Sequence, residues 1–372
     1  MQKQETRTTK RGASPWRVTP SVELNSPRIM GTFDFSPATR PPVEPSANLA
    51  APPSTSLASV PLASKVVREG SVTSCRTFHT GQVRLLLEAR DTQGALALIE
   101  AVLSPGEGSP RHIHRQEDEV IYVQRGRFRA DVGAQSFDLH PGDTLLLPRD
   151  VPHVLACTSA HPGAFLCWIV KGGSEARFLA EDQALTSGQD HAVLAQQAAL
   201  LGLSMADAAG DGAPALVPGE TAFASSCPLR GHEGGNLNIF HDCVRILVAS
   251  EAVHDRYCFT QIETQPLKGI PCHVHATGHE AFFVQAGRYE FCLDDARVMA
   301  HEGDVVWVPA GVTHHFRVVS SSPGKLLLLS VPGGFDRFSR ECAVLFARGE
   351  ATPSSLSLLG ADHDIYLIPP RR

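Results

Sequence analysis

Residues 106–126 read GEGSPRHIHRQEDEVIYVQRG, and residues 267–287 read LKGIPCHVHATGHEAFFVQAG. Each holds a His-x-His pair, a Glu beyond it and then a Gly at the same spacing: His112, His114, Glu119 and Gly126 in one, His273, His275, Glu280 and Gly287 in the other. The match runs on without a gap, since Gly142, Pro148 and His153 correspond to Gly303, Pro309 and His314, always 161 residues later. An offset this long marks two duplicated domains rather than a chain of short repeats.

The spacing has a physical reading. Residues two apart on a strand share a face, so His112 and His114 aim two imidazoles into one interior, as do His273 and His275. The residues between His114 and Glu119 suffice for a tight hairpin, after which Val120, Ile121, Tyr122 and Val123 read as a new strand that returns the carboxylate to the pair. Gly126 and Arg127 make the next turn, HPGD at residues 140–143 makes another, and Pro148 ends the apolar run that begins at Thr144 because it cannot donate to a ladder. His153 then arrives from a distant segment as the fourth ligand. Two ligand sets are expected: His112, His114, Glu119, His153 and His273, His275, Glu280, His314. Imidazoles with one carboxylate suit a borderline divalent metal, and ligand type alone does not choose among Fe, Mn, Ni, Co, Cu and Zn, of which iron is the one expected. Four ligands either close a tetrahedron or leave two octahedral positions open for chemistry. The alternative, satisfied core histidines, is disfavoured because burying three imidazoles and a carboxylate needs compensation.

On these motifs, residues 70–370 resemble a cupin, and the pair of modules resembles a bicupin. The resemblance implies a mostly β protein: two tandem double-stranded β-helix (jelly-roll) barrels with a helical linker and a disordered N-terminal tail. The expected boundaries are 1–68 for the tail, 69–180 for the first barrel, 181–235 for the linker, 236–335 for the second barrel and 336–372 for a C-terminal helix and tail. Among bicupins the likeness is to the quercetin 2,3-dioxygenase group, in which three His and one Glu hold the metal; PGGFDRFSREC at 332–342 and DIYLIPP at 364–370 are similar to that group's ending. Departures are Asp150 where Gly is usual, Cys157 and Val318 where Asn is usual, and Gly269 set only a few residues ahead of His273. The resemblance further implies that Glu119 and Glu280 double as catalytic bases.

Composition bounds the rest. The first 65 or so residues are rich in Pro, Ser, Thr and Ala and carry no secretory apolar stretch. A net charge of −6 without a basic patch argues against nucleic acid, and no apolar run reaches the length of a membrane span. Nine Cys without a C-x-x-C pair read as reduced thiols, which points to a cytoplasmic location. Amphipathic helices are expected at 191–203 and 335–347. Ile121, Tyr122, Phe128, Leu147, Phe282, Phe283, Tyr289 and Trp307 are candidate pocket linings; Cys272, His279 and His315 are expected off the ligand face, and His140 and His301 at turns.

The function expected from the resemblance is a metal-dependent dioxygenase taking O2 and a flavonol or similar enolised small molecule. The alternatives are an oxygen-independent isomerase, lyase or cyclase, and a metal-containing binding module. A homodimer is compatible with all three.

Overall fold

The strand Gly163–Val170, GAFLCWIV, shows how the apolar pattern builds this molecule: all eight of its residues are buried. A strand with one wet face alternates; this one does not, because each face meets a different core. Phe165, Cys167 and Ile169 point into the first barrel, whereas Leu166, Trp168 and Val170 pack against the second. By contrast Phe128–Val132 alternates, with Phe128, Ala130 and Val132 inward and Arg129 exposed.

The computed structural model describes residues 63–68, 75–78, 81–176, 203–205, 228–231, 233 and 235–369. All of these lie in the compact unit Leu49–Pro369. In the first barrel a six-stranded sheet, in the order Cys75–Phe78, Gly81–Leu87, Leu96–Leu103, Gly163–Val170, Asp118–Arg125, Thr144–Leu147, faces a five-stranded one. The latter runs Leu203–Met205, His112–His114, His153–Cys157, Phe128–Val132, Gln135–Leu139. In the second barrel a seven-stranded sheet is built from Asn236–Ile239, Asp242–Val248, Cys258–Thr264, Gly324–Val331, His279–Ala286, Val305–Val308 and Lys65–Val67. It faces a five-stranded sheet of Ala296–His301, Arg288–Leu293, His314–Val318, His273–Val274 and Tyr366–Leu367. Each barrel encloses its own apolar core. A third core joins the two larger sheets back to back, with Trp168 lying 5.4 Å from Phe259 between ring centres and Trp307 fully buried.

The turn glycines of the motif are needed twice over. Gly126 sits at φ +81° and Gly287 at φ +86°, and a Cβ on them would meet the Cα of Gly163 at 2.6 Å and of Gly324 at 2.9 Å. Asp150, which replaces the usual Gly, still adopts φ +63°, a conformation Asp tolerates better than most residues. Its amide donates to the His114 carbonyl at 2.8 Å, as the Gly311 amide does to that of His275.

Two boundaries differ from the sequence expectation. The tail expected at 1–68 ends in structure, because Lys65–Val67 pairs antiparallel with Val305–Val308 of the second barrel, matching Val66 to Val306. Residues 1–62 lie outside the described residues, as do all but the last residue of the helix expected at 191–203; that residue, Leu203, begins a short strand against His112–His114. The C-terminal helix is observed as Phe335–Arg348, followed by a second at Pro353–Asp362. The tail beyond is part of the second barrel, since Tyr366–Leu367 pairs with His273–Val274.

Candidate metal centres

Antiparallel pairing sets His153 directly opposite His112, and His314 opposite His273. The second His of each pair follows two residues on, and the Glu comes from the facing sheet, where Glu119 is held between Leu147 and Ile169. The outcome is two clusters, His112–His114–Glu119–His153 and His273–His275–Glu280–His314, whose ligand atoms lie within 4.8 Å of one another. All eight expected ligands are thereby brought together, four in each barrel.

The imidazoles are oriented by their other nitrogens. Nδ1 of His112, His153, His273 and His314 meets the carbonyls of Pro110, Val151, Pro271 and Val312 at 2.8, 2.9, 3.0 and 2.9 Å. A carbonyl only accepts, so in His112, His153 and His273 Nδ1 carries the proton and the Nε2 lone pair faces the cluster, the tautomer a metal requires; in His314 Nε2 also meets the Glu280 carboxylate. Nε2 of His153 stands 3.1 Å from Glu119 Oε2 yet outside hydrogen-bond alignment, and Nε2 of His275 stands 3.5 Å from Glu280 Oε1 in the same state. These two ring nitrogens, buried beside the carboxylate without bonding it, suit a shared cation, whereas His314 Nε2 bonds Glu280 Oε2 at 2.8 Å. Burial alone raises the Glu119 carboxyl, but the His114 and His153 imidazoles outweigh it and hold Glu119 well below the usual carboxylate range. Glu280 is held down in the same way by His275 and His314. Desolvation, with His314 and His275 beside it, pushes His273 well down towards the neutral, ligating form.

Three supporting residues escaped the sequence reading. Glu117, buried beside the first cluster, accepts from His114 Nδ1 at 2.8 Å and from the Ser174 amide at 2.8 Å. The Cys167 thiol donates to Glu119 Oε1 at 3.4 Å. Asp364, the Asp of DIYLIPP, accepts from the amides of Ala276, Thr277 and Gly278 at 2.9 Å each and so clamps the turn between His275 and Glu280. The two centres are unequal in these contacts, since the positions matching Glu117 and Cys167 are Gly278 and Leu328. The place of Glu117 three residues beyond a ligating His was the available signal.

Of the other residues named from sequence, Cys272, His279 and His315 stay out of the clusters. His279 accepts from the Ala310 amide at 3.0 Å and stacks on Trp307. His140 lies at a turn and His301 ends the strand Ala296–His301 just before one, their amides donating to Asp143 and Asp304 at 2.9 Å. Ile121 and Leu147 line the first cavity and Phe282 the second, but Tyr122, Phe283 and Trp307 face the core between the barrels, and Phe128 and Tyr289 are core residues.

Similarity to known proteins agrees with this geometry. The cupin domain family matches twice, at residues 99–169 and 261–331. The chain is a bicupin. Quercetin 2,3-dioxygenase of Bacillus subtilis (strain 168) is 24% identical over 262 residues, covering 65% of this chain and 76% of that protein. Protein SchB of Streptomyces halstedii is 38% identical over 76 residues, 20% of this chain and 54% of that protein. Among solved structures, an oxalate decarboxylase from Bacillus subtilis superposes with a TM-score of 0.52 at 18% identity, covering 82% of this chain and 87% of that one. Another structure of that enzyme is described by its Mn(II) centres. This bicupin carries one metal-binding site of three His and one Glu in each domain. No helix among the described residues is long and apolar enough to cross a membrane.

Proposed function

We propose that this bicupin is a metal-dependent dioxygenase that cleaves a largely apolar, enolisable small molecule with O2: a flavonol, another enolised ring or a 1,3-dicarbonyl compound. The observation that carries the reading is the character of the two cavities. Beside His112, Glu119 and His153 the described lining is mainly aliphatic, with Ile99, Ile121, Leu155 and Phe165; beside His273 and Glu280 it mixes Phe240, Phe282, Phe316 and Phe338 with Ile and Leu side chains and the buried Asp242. Neither described lining includes Lys or Arg. A dicarboxylate of the kind named for the oxalate decarboxylase would want such a cation, so the quercetin 2,3-dioxygenase relative is the better guide. Cavity volumes of about 70 and 50 Å³ favour the smaller members of the class and require the lining to open for a three-ring flavonol.

His112, His114, His153 and Glu119 would hold a divalent metal in the first barrel, and His273, His275, His314 and Glu280 in the second. When bound, such a metal supplies Lewis acidity and, if redox-active, a path for electrons between substrate and O2. The chain's own part is proton handling and exclusion of water. Glu119, ionised by its imidazole neighbours, accepts the proton of a substrate hydroxyl and leaves an electron-rich enolate. Cys167 orients the Oε1 oxygen for that transfer, and the apolar walls keep the enolate from being reprotonated by bulk water. Glu280 has the same role in the second barrel. Seven described cysteines are free thiols, which supports a reducing, cytoplasmic setting.

The test is oxygen uptake by protein reconstituted separately with Fe, Mn, Ni, Co, Cu and Zn, against flavonols and β-diketones. Metal- and substrate-dependent uptake that falls by about 100-fold or more in Glu119→Gln is expected if the first barrel is the active one. Turnover with Zn in the absence of O2 would overturn the proposal in favour of Lewis-acid isomerase, lyase or cyclase chemistry.

A further inference from the structure

The 161-residue offset exposes a broken ion pair. In the first barrel Arg84 and Glu100 are cross-strand partners, and the guanidinium donates to Glu100 Oε2 at 2.8 Å. The corresponding partners in the second barrel are Arg245 and Gln261, in the same register on strands Asp242–Val248 and Cys258–Thr264. The arginine has been kept and its carboxylate replaced by an amide. Arg245 is only 8% exposed, its Nε is buried without a hydrogen-bond partner, and its Nη1 donates to the Gly231 carbonyl. Among the described residues no carboxylate pairs with it. A buried guanidinium never loses its charge, and leaving it uncompensated is costly.

Arg245 lines a cavity of about 630 Å³ between the barrels, whose lining includes none of the eight candidate metal ligands. The other charges on that wall are already matched. Arg230 pairs with Asp143 at 2.9 Å, while Asp143 also accepts from the Gly231 and His140 amides, and Lys325 pairs with Glu263 at 3.3 Å. Gln261 does not substitute for the lost carboxylate, because its Nε2 is turned to Tyr122 Oη at 3.2 Å and Gln285 Oε1 at 2.6 Å. Among the described residues the cavity therefore presents two satisfied ion pairs and one cation without an anion.

We infer that the seam cavity is a binding site for a small oxyanion, a carboxylate- or phosphate-bearing metabolite, whose anionic group takes the place that Glu100 occupies beside Arg84. The planar fork of Arg245 suits two parallel hydrogen bonds to such a group. The volume leaves room for an organic body beyond the anion.

The experiment is titration calorimetry of the full chain at low ionic strength with succinate in one arm and inorganic phosphate in the other. Wild-type protein is expected to bind at least one probe with a Kd of about 1 mM or tighter, and the tighter arm names the anion. Arg245→Gln removes the cation, and Gln261→Glu restores the internal carboxylate; each is expected to weaken binding by at least about ten-fold. Gln261→Glu should also raise Tm without ligand, which a variant that merely misfolds cannot do. Wild-type protein that binds neither probe, or Gln261→Glu protein that binds as tightly as wild type, would overturn the assignment.

Discussion

Glu119 and Glu280 were visible in the sequence because a metal ligand must recur at a spacing set by strand and turn; Glu117 was not, because its role depends on where its side chain goes. Its carboxylate steers His114 and raises the basicity of the ligating nitrogen; in the second barrel Gly278 stands at that position and the Asp364 backbone bonds His275 instead. Glu117→Ala is expected to weaken metal binding in the first centre by about 10- to 100-fold while sparing the second. Metal content after dialysis against a chelator should fall from about two ions per chain towards about one. Unchanged retention would show that Glu117 serves only to hold the Ser174 amide.

A second residue-scale expectation concerns Asp242, whose position in the first barrel is filled by Gly81. Burial lifts its carboxyl from 3.8 to about 7, against a smaller opposing effect of Thr264. The folded state thus holds a proton that the unfolded state has lost between those values, so stability falls as pH rises from about 4 to about 7 and then levels off. Asp242→Asn should raise Tm by about 5 °C or more at pH 8 and have little effect near pH 4. Thermal unfolding of both proteins at the two pH values checks the sign; a larger gain at acid pH would contradict it.

At the scale of elements, the alternating strand Phe128–Val132 and the Gly126 and Gly287 turns were readable, since period and backbone conformation are local properties. The fully apolar strands were recognisable as strands, but not which half of each faces which core. Tyr122, Phe283 and Trp307 accordingly moved from candidate pocket linings to the core between barrels. Gly126→Ala would place a Cβ against the Gly163 backbone and hold Ala at positive φ. A loss of about 2 kcal/mol or more in denaturant titration is expected. Gly106→Ala is the control: it shares the positive φ, yet its Cβ would meet nothing within 4 Å, so it should cost about 1 kcal/mol.

For the whole molecule, the segment leading into each barrel is stitched to the other one. Lys65–Val67 joins the second barrel, where Arg68 bonds Asp304 at 2.9 Å; Leu229 bridges Thr144 of the first barrel, where Arg230 bonds Asp143 at 2.9 Å. Arg68 reaches the Met299 carbonyl as Arg230 reaches that of Asp138, so the crossing repeats with the duplication. A chain beginning at residue 63 keeps this strand, whereas one beginning at residue 69 loses it. The shorter chain is expected to melt several degrees lower, by roughly 4 °C or more, and the longer to match the full chain. Equal melting of the two would mean that the crossed strand contributes nothing to holding the barrels together.

What the sequence by itself determined is the duplication and the eight candidate ligands, because each rests on short-range regularities, two-residue alternation, turn chemistry and a constant offset; the jelly-roll architecture was implied by the resemblance those motifs carry. Only the tertiary structure decided which apolar faces join the barrels, which side chains support the ligands, where the leading segments cross and which arginine lacks its carboxylate. Those features depend on distances between residues far apart in the chain, and such distances are set by packing and strand register, which no local pattern encodes.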